Sequence, residues 1–404
     1  MLYQLKKRIV RPWILFAILG IAASCNPGQN DLEVSNFLID SIQSQTIRDS
    51  RVEVFVIKAS FSNNGILLKG KTTHPEAVDK LVNQLQLQHV VFADSIVRLP
   101  DNALHGKIWG IVTISVANLR STAANSAEMA TQALMGTPVM VLQEENGWCL
   151  VQTPDKYIAW TEKVGLAQMT QNQLDVWKTS ARIIFLADNG LILDSPDSKG
   201  KPISDIVLGS ILQVESNTKS NSQFIPVDLP DGRKGFLSKA DCKDFKTWCE
   251  QVAPDPGIMF KTAYYSMGRP YLWGGTSTKG FDCSGFTKTI YMTGGLILSR
   301  DASQQVLQGT EVPIKGSWDE LQPGDLLFVG RAATPELPER ITHVCMYTGD
   351  SEFIHCSGMG RVTVNSLDST RYNHMPKSYK VLHAKRMIGS INSPVSFKSH
   401  PWYN

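Results

Sequence analysis

The chain has 404 residues, which is too long for one ordinary domain and long enough to build several hydrophobic cores. Hydrophobic residues make up 42% of the sequence and charged residues 19%, proportions typical of a globular protein rather than a disordered one. The net charge is only +3, from 40 basic and 37 acidic residues, and no basic block is present. Nothing here would release counterions from a phosphate backbone, so we expect no nucleic-acid partner.

The N-terminal sequence, MLYQLKKRIVRPWILFAILGIAASC, has a basic start, a short apolar run and an end of small residues. This order predicts a secretory signal over residues 1–24, and the run is too short for a comfortable membrane span. The end, AASC, resembles a bacterial lipobox, which implies that Cys25 becomes a lipidated N-terminus. The alternative is a plain signal peptide with an incidental cysteine. We expect an exported protein, anchored by the lipid on the periplasmic side of a bacterial outer membrane.

A polar stretch follows, and we predict that residues 25–50 form a lipoprotein tether. Two strands are predicted in VEVFVIKASF and GILLKGKT, around a turn at Asn64 and Gly65. HVVFADSIVRL predicts a third strand, after a helix predicted in PEAVDKLVNQL. The apolar residues at helical spacing in that helix are Ala77, Val78, Leu81 and Leu85. Residues 51–107 are therefore predicted to form a small ββαβ module without evident chemistry.

Two later segments, 137–164 and 208–240, have similar patterns. Each alternates apolar and polar residues, and turn sequences such as ENGW and LPDGRKGF interrupt the alternation. Short alternating strands with turns at this spacing predict small β-barrels. The pattern resembles tandem bacterial SH3 domains, which we place over residues 108–168 and 169–248.

From residue 249 to 393 the pattern changes to helices followed by strands. GIMFKTAYYSMGRPY and DCSGFTKTIYMTGG predict two helices, the second beginning near Cys283. LQPGDLLFVG and ITHVCMYTGDSEFIHCSG predict strands and turns. A cysteine-bearing helix followed by a small sheet with histidines is typical of a papain-like cysteine hydrolase, an α+β fold. We predict that residues 394–404 form a C-terminal tail.

Cys283 is the candidate nucleophile, because a helix N-terminus and a nearby imidazolium favour the thiolate. Together they can lower a thiol pKa from about 8.5 to roughly 3.5–7.5, so we expect a thiolate in the resting protein. His343 and His355 lie on adjacent predicted strands, where one can act as general base and the other can orient it.

A zinc site is the competing interpretation, since Cys283, His343, Cys345, His355 and Cys356 include enough ligands for the metal. Adjacent strand residues point to opposite faces, so Cys356 should point away from His355, and the sequence has no CxxC motif. We therefore predict no metal and no cofactor.

Export would permit a disulfide between Cys242 and Cys249, and the sequence leaves that pairing open.

Five motifs occur in the order YLWGG…GFDCSGF, SRDASQQ, LQPGDLLFV, ITHVCMY and FIHCSG. Together they resemble the NlpC-type cell-wall cysteine peptidases, over about residues 255–388. The resemblance implies that Cys283 is the nucleophile, His343 the base and His355 the orienting residue, with Tyr271 helping to stabilise the oxyanion. The stretch GRAATPELPERI, longer than is usual in this family, is expected to form a loop bordering the site.

With the preceding SH3 domains, the chain resembles the dipeptidyl-peptidase VI group of γ-D-glutamyl-L-diamino acid endopeptidases. These enzymes cut murein peptides whose N-terminal L-Ala amine is free. The resemblance places four residues beside the scissile peptide, namely Asp282, Ser284, Asp301 and Ala302. Relatives often have serine where this chain has Ala302.

The same resemblance implies an acid and a tyrosine from the first SH3 domain that cap the substrate amine. The candidates are Glu128 and Tyr157, since a buried ammonium requires a paired carboxylate. Each also has a structural interpretation: Glu128 could be a solvated loop acid, and Tyr157 could pack against Trp160.

Three residues near the cysteine have structural interpretations as well. Asp282 can cap the cysteine helix, a role compatible with substrate binding. Asp301 can form a surface ion pair with Arg300, which would contribute little. Trp273 is interpreted as a packing residue under the glycine turn.

The sequence thus predicts an exported, monomeric cysteine peptidase that acts on a murein-derived peptide, L-Ala-γ-D-Glu-diamino acid. One alternative is a D,L-endopeptidase that cuts intact peptidoglycan stems. Another is a non-catalytic lipoprotein that binds peptidoglycan through its barrels. The choice between diaminopimelate and lysine as the third residue stays open.

Overall fold

A computed structural model describes residues 27–216, 223–315, 317–358 and 360–404. The signal sequence and Cys25 lie outside the described residues, so the lipid anchor stays a prediction. In the described ranges, every helix is too short or too polar to cross a lipid bilayer.

The chain forms two compact units. One contains the described part of Met1–Arg48 together with Phe55–Val97, and the other contains Asp49–Val54 and Arg98–Asn404. The second unit therefore includes a short segment that precedes most of the first unit in sequence.

The smaller unit packs two helices against a three-stranded sheet of order β1-β2-β3. Its elements are α1 Pro27–Thr46, β1 Phe55–Ser62, β2 Gly65–Thr72, α2 Pro75–Leu87 and β3 Phe92–Arg98. The four apolar residues predicted to share one face of α2 are all buried, which confirms the helical interpretation of that segment.

The segment expected to be a tether is instead the helix α1. Ser35, Ile39 and Ile42 recur at helical spacing along it and are buried, with both isoleucines in the core of the smaller unit. The polar composition of the segment concealed this narrow buried face.

The turn between β1 and β2 differs by one residue from the expectation. Ser62 pairs with Gly65, so Asn63 and Asn64 form the turn and Gly65 begins β2. Gly65 has a φ of +111°, and a Cβ there would lie 2.3 Å from the carbonyl oxygen of Val91. Only glycine fits this position without strain.

Two seven-stranded antiparallel sheets form the first part of the larger unit. The first contains β4 Trp109–Val112, β5 Val116–Arg120, β6 Met129–Leu134, β7 Pro138–Glu145, β8 Trp148–Gln152, β9 Ile158–Glu162 and β10 Leu166–Met169. The second contains β11 Arg182–Phe185, β12 Asn189–Leu193, β13 Pro202–Val207, β14 Ile211–Val214, β15 Phe224–Asp228, β16 Lys234–Ser238 and β17 Cys242–Asp244. The helix α3, Gln171–Thr179, connects them, and α4, Phe245–Gln251, follows the second.

These two sheets have the same topology. Their strand orders are β10-β4-β7-β8-β9-β5-β6 and, from the opposite edge, β17-β11-β14-β15-β16-β12-β13. Numbered along the chain within each sheet, both orders are 7-1-4-5-6-2-3. The similarity between the two sequence segments therefore corresponds to a repeated architecture.

The C-terminal part has an α+β architecture, with helices packed against a six-stranded sheet. Its helices are α5 Pro256–Tyr265, α6 Cys283–Thr293 and α7 Ala302–Gln305. Its strands are β18 Thr276–Ser277, β19 Gly280–Phe281, β20 Leu296–Ile297, β21 Thr310–Glu311, β22 Leu326–Arg331, β23 Arg340–Gly349, β24 Glu352–Ser357, β25 Arg361–Ser366, β26 Val381–Arg386 and β27 Val395–Ser396. The large sheet has the order β21-β26-β22-β23-β24-β25, and its core includes residues of α6 and the central strands.

The last residues are not a loose tail. β27 pairs with β20, and Phe397 and Tyr403 are buried in a core shared with Phe245 and Trp248. Aromatic side chains supply enough buried apolar surface to hold this short segment against the protein.

Candidate active site

Cys283 is the first residue of α6, as the sequence predicts. The side chain of Asp282 accepts a hydrogen bond from the backbone N–H of Gly285, at 2.7 Å, and so caps the helix. A Cβ on Gly285 would lie 2.0 Å from the carbonyl oxygen of Gly275, so the turn before the helix requires glycine there. The cap and the glycine contact together fix the position of the thiol at the positive end of the helix.

His343 on β23 and His355 on β24 are hydrogen-bonded to each other. The distance from His343 Nε2 to His355 Nδ1 is 2.7 Å. His355 Nε2 in turn lies 2.9 Å from Asn365 Oδ1, on β25. The chain of polar groups therefore extends one residue beyond the predicted pair.

Asn365 determines which imidazole nitrogens carry hydrogen. Its Nδ2 donates to the carbonyl oxygen of Asn373, at 2.9 Å, which leaves Oδ1 as an acceptor for His355. His355 Nε2 must then carry the hydrogen, so its Nδ1 accepts from His343 Nε2. This assignment leaves the lone pair of His343 on Nδ1, ready to accept a proton.

The sulfur of Cys283 lies beside β23. Backbone hydrogen bonding from Val344 and Ser284 favours its thiolate form, and Val344 is the residue next to His343. The helix start and one strand of the sheet thus bring Cys283 close to the residue next to His343.

The thiolate expected in the resting protein is not supported. Burial, reinforced by the charge of Asp282, raises the pKa of the Cys283 thiol to about 12. Burial, reinforced by His355, lowers the pKa of His343 to about 3, and burial lowers that of His355 to about 4. Desolvation opposes charge on all three groups, so burial favours the neutral thiol and the neutral imidazoles.

Cys283 lies in a cleft of about 660 Å³, which is within the usual range for a small-ligand site. Predicted residues on its walls are Glu128, Tyr157, Tyr271, Asp282, Ser284, Asp301 and Ala302. The first seven-stranded sheet and the C-terminal region therefore contribute to one cleft. Glu339 and Arg340, from the stretch GRAATPELPERI, also line it, as expected for a loop bordering the site.

Glu128 is held in place by a residue that we had interpreted as packing. Trp273 Nε1 donates to Glu128 Oε1 at 2.6 Å, and 62% of the Trp273 side chain is exposed. Trp273 therefore lies on the cleft wall rather than under the glycine turn. Its NH group orients the carboxylate that the sequence predicts to face the substrate amine.

Tyr157 is buried at the same wall. The charges of Asp301, Arg300 and Arg51 act on its hydroxyl, and burial raises its pKa above the ordinary value. Tyr271 is half-buried near the thiol; burial is the main cause of its raised pKa, and Cys283 is the next.

Arg300 is buried rather than at the surface, and its expected pair with Asp301 is a long one, with Nη1 3.9 Å from Oδ1. Its side chain is only 1% exposed and forms a salt bridge with Asp282, while Nη1 also donates to Ser284 Oγ at 3.0 Å. This buried arginine links the helix cap to the serine after the nucleophile. No sequence motif pointed to a role for Arg300 in the site.

Asp301 is paired with a residue from another part of the chain. Its Oδ2 accepts a hydrogen bond from Arg51 Nη1 at 2.8 Å, whereas Arg300 Nη1 is 3.9 Å from Oδ1. Ala302, the next residue, is buried at the start of α7. Arg51 lies 250 positions before Asp301 and belongs to no motif that we identified.

A buried ion pair connects the first sheet to the nucleophile helix. Lys288, five positions after Cys283, bonds to Asp155, two positions before Tyr157. The Asp155 side chain is only 1% exposed, and its pKa is lowered by Lys288 although burial opposes this. Removing one member of such a pair leaves a buried charge without a partner.

His343, Cys345 and His355 have potential metal-binding atoms within 4.8 Å of one another. The two imidazole nitrogens, however, lie 2.7 Å apart in a hydrogen bond. At zinc–nitrogen distances of about 2.0–2.1 Å, two tetrahedral ligands would lie more than about 3 Å apart. The geometry fits a hydrogen-bonded pair better than a zinc site.

Cys242 and Cys249 are both free thiols in the structure, so the disulfide that the sequence left open is not formed.

Comparison with known proteins identifies two regions. Residues 268–380 match the NlpC/P60 family, and residues 119–165 match the bacterial dipeptidyl-peptidase Sh3 domain. A crystal structure of an NlpC/P60 family protein from Bacillus cereus aligns with a TM-score of 0.56 at 25% identity. The alignment covers 69% of this chain and 99% of that one.

Two curated relatives extend the similarity across both regions. Dipeptidyl-peptidase 6 of Lysinibacillus sphaericus is 32% identical over 264 residues, which are 64% of this chain and 91% of the relative. A gamma-D-glutamyl-L-lysine dipeptidyl-peptidase of Bacillus cereus is 32% identical over 245 residues, which are 57% of this chain and 68% of the relative. These matches confirm the resemblance seen in the motifs: the chain belongs to the NlpC/P60 family of cysteine peptidases and carries the SH3 domain of the bacterial dipeptidyl-peptidases.

Proposed function

We propose that the protein hydrolyses the bond between γ-D-Glu and the diamino acid in murein peptides that have a free N-terminal L-Ala. The observation that carries this proposal is the cleft over Cys283, one wall of which is formed by Glu128 and Tyr157 of the first sheet. Relatives named gamma-D-glutamyl-L-lysine dipeptidyl-peptidase support lysine as an accepted third residue. The products are L-Ala-γ-D-Glu and a peptide that begins with the diamino acid.

In this mechanism the sulfur of Cys283 attacks the γ-carbonyl carbon of D-Glu. His343 Nδ1 accepts the thiol proton while the C–S bond forms, because neither group is charged at rest. The oxyanion is stabilised by backbone N–H groups at the start of α6 and by the hydroxyl of Tyr271. His343 then donates the proton to the leaving amine, and a thioester with Cys283 remains.

Hydrolysis of the thioester completes the reaction. His343 takes a proton from a water molecule, whose oxygen attacks the acyl carbon, and the thiolate leaves and recovers the proton. The role of His355 is to hold the tautomer of His343 through the 2.7 Å hydrogen bond between the rings.

The amine of L-Ala is recognised by carboxylates on the opposite wall. Glu128 and Asp301 provide negative charge, and Tyr157 adds a hydroxyl. An ammonium group removed from water requires such partners, and an acylated amine would leave them unpaired. A longer stem would also collide with the wall formed by the first sheet.

The test is hydrolysis of L-Ala-γ-D-Glu-L-Lys, of its diaminopimelate analogue and of N-acetylated L-Ala-γ-D-Glu-L-Lys. We expect release of L-Ala-γ-D-Glu from the free peptides, little cleavage of the acetylated one, and a loss of at least about 10⁴-fold in Cys283→Ala. Equal cleavage of free and acetylated peptides would favour the D,L-endopeptidase. Turnover by Cys283→Ala, or none by the wild type, would refute the proposal.

The remaining predictions form part of the same proposal. The shared 7-1-4-5-6-2-3 strand order supports a second SH3-type domain in the second sheet. We also propose that the protein is exported, lipidated on Cys25 and monomeric. Radiolabelled palmitate incorporation that disappears in Cys25→Ala would test the anchor.

A further inference from the structure

The segment Asp49–Val54 lies against the cleft, although it precedes the first sheet by more than fifty residues. The carbonyl oxygen of Arg51 accepts a hydrogen bond from the backbone N–H of Ile158 at 2.8 Å. The carbonyl oxygen of Val52 accepts one from Gln152 Nε2 at 3.3 Å. The backbone of the segment is therefore attached to the first sheet beside Tyr157.

The side chains of the segment are attached to the C-terminal region. Arg51 is held by Asp49, with Nε to Oδ1 at 2.8 Å and Nη2 to Oδ2 at 2.7 Å. Its remaining nitrogen, Nη1, donates to Asp301 Oδ2 at 2.8 Å and to Ser303 Oγ at 2.9 Å. Asp49 Oδ2 also accepts from Gln304 Nε2 at 2.8 Å. All three guanidinium nitrogens are thus occupied.

This arrangement is strongly charge-assisted. Hydrogen bonds from Arg51 and Gln304 lower the pKa of Asp49 to about 2, although burial acts in the opposite direction. Asp49 holds two nitrogens of the Arg51 guanidinium, and the third nitrogen donates to Asp301. The carboxylate of Asp301 therefore has a defined orientation.

Asp301 has further acceptor capacity for a ligand. Arg51 Nη1 donates to Oδ2, Arg300 Nη1 lies 3.9 Å from Oδ1, and the carboxylate also caps α7 through the backbone N–H of Gln304. A carboxylate has about four lone-pair sites, so these contacts leave room for another donor. Asp301 and Arg51 both line the cleft, and the charge of Asp301 acts on Tyr157.

We propose that Arg51 is a positioning residue for recognition of the substrate amine: it holds the carboxylate of Asp301 so that this group receives the ammonium of L-Ala. The inference rests on the proposed function. It goes beyond it because Arg51 lies outside residues 119–165 and 268–380, the regions matched by the two family models. Selectivity for a free amine then depends on a segment that belongs to neither matched domain.

The chain contains a matched control for this residue. Arg233, which immediately precedes β16 of the second sheet, forms the same local pair with Asp231: its backbone N–H donates to Oδ1 at 3.1 Å and its Nε donates to Oδ2 at 2.8 Å. Arg51 makes the equivalent backbone contact to Asp49 at 3.0 Å. Arg233 does not line the cleft, so Arg233→Ala removes a similar local interaction without touching Asp301.

The experiment measures kcat and KM of the full-length protein on L-Ala-γ-D-Glu-L-Lys and on propionyl-γ-D-Glu-L-Lys, which lacks only the ammonium group. We expect Arg51→Ala to lower kcat/KM for the first peptide by about 10- to 100-fold, mainly through KM, and for the second by less than about 3-fold. Arg51→Lys should recover part of the loss, and Arg233→Ala should match the wild type.

Binding of both peptides to the Cys283→Ala protein provides a second readout, with Arg51→Ala or Asp49→Asn added. Arg51→Ala should weaken binding of the L-Ala peptide only, and Asp49→Asn should do so to a smaller extent. A parallel loss for both peptides would indicate a merely structural role and overturn the inference, as would unchanged selectivity. Failure of the wild type to cut the L-Ala peptide would instead refute the proposed function.

Discussion

The two seven-stranded sheets share one topology but contribute differently to the cleft. In the first, Ser121, Glu128 and Ala130 of the β5–β6 region line the cleft, and Tyr157 precedes β9. In the second, the equivalent β12–β13 connection does not reach the cleft.

The second sheet contacts the C-terminal region elsewhere. Arg269 forms a salt bridge with Asp188, and Thr278 Oγ1 donates to the carbonyl oxygen of Asp188 at 2.9 Å. The same strand order therefore places cleft-lining residues in one sheet and none at the equivalent connection of the other. Topology determines where loops emerge, whereas the residues on those loops and their neighbours determine function.

The largest expected effect is on kcat, and it distinguishes the chemical step from recognition of the substrate amine. Asn365→Leu removes the acceptor that fixes the tautomers of His355 and His343, so kcat should fall on the order of 100-fold with KM nearly unchanged. The loss should be equal for the L-Ala and propionyl peptides, because neither sheet takes part in it. Steady-state kinetics on both peptides check this, and a loss confined to KM would contradict it.

Glu128→Gln tests the contribution of the first sheet directly. Loss of the charged partner should reduce kcat/KM for the free-amine peptide by about 10- to 50-fold and leave the propionyl peptide little affected. The matched control is Lys201→Ala, because Lys201 precedes β13 as Glu128 precedes β6. If both variants changed kcat/KM to the same extent, the hypothesis that only the first sheet recognises the amine would be wrong.

Tyr157→Phe should have a smaller effect at the same wall. Removal of one hydroxyl should raise KM for the free-amine peptide by about 2- to 10-fold, since a hydrogen bond contributes about 0.5–1.5 kcal/mol. Arg233, which precedes β16 as Tyr157 precedes β9, again provides the control position. An unchanged KM in Tyr157→Phe would assign this tyrosine to packing alone.

The smallest expected effect is on the pH dependence of the free energy of unfolding. His343 and His355 have folded-state pKa values of about 3 and about 4, below the value of about 6.5 expected in the unfolded chain. The unfolded chain therefore binds more protons below pH 6.5, so stability is complete above that pH and falls as pH decreases towards 4.

We expect a loss of about 1 kcal/mol per imidazole between pH 6.5 and 5.5 in urea unfolding. The dependence should weaken in His355→Gln, because that substitution removes one of the two imidazoles whose pKa burial lowers. A pH dependence unaltered by that substitution would assign the effect to other groups.

Local motifs predicted residues that the structure brings together near Cys283. Cys283 and its cap at Asp282 are adjacent in sequence, and His343 and His355 lie on neighbouring strands that one short turn connects. Such signals depend on spacing alone, and the structure brings the predicted residues to one place. The family resemblance also led to Glu128, whose partner Trp273 we misinterpreted because side-chain exposure is not visible in a sequence.

Residues that depend on tertiary packing could not be predicted. Asn365 faces His355 only because the register pairs Phe353 with Asn365, and Arg51 reaches Asp301 across 250 positions. The thiolate expectation rested on the positive helix end, which is a local feature, whereas the burial that raises the pKa of Cys283 depends on tertiary packing. The helix α1 shows that a polar composition can conceal one buried face.

The buried pair between Asp155 and Lys288 joins the first sheet to the helix that begins at Cys283. One partner lies close to Tyr157 in sequence and the other lies on that helix. Breaking such a pair costs roughly 3–5 kcal/mol, so this joint resists opening. Under the proposed function, it would keep the residues that recognise the amine at a constant distance from the thiol.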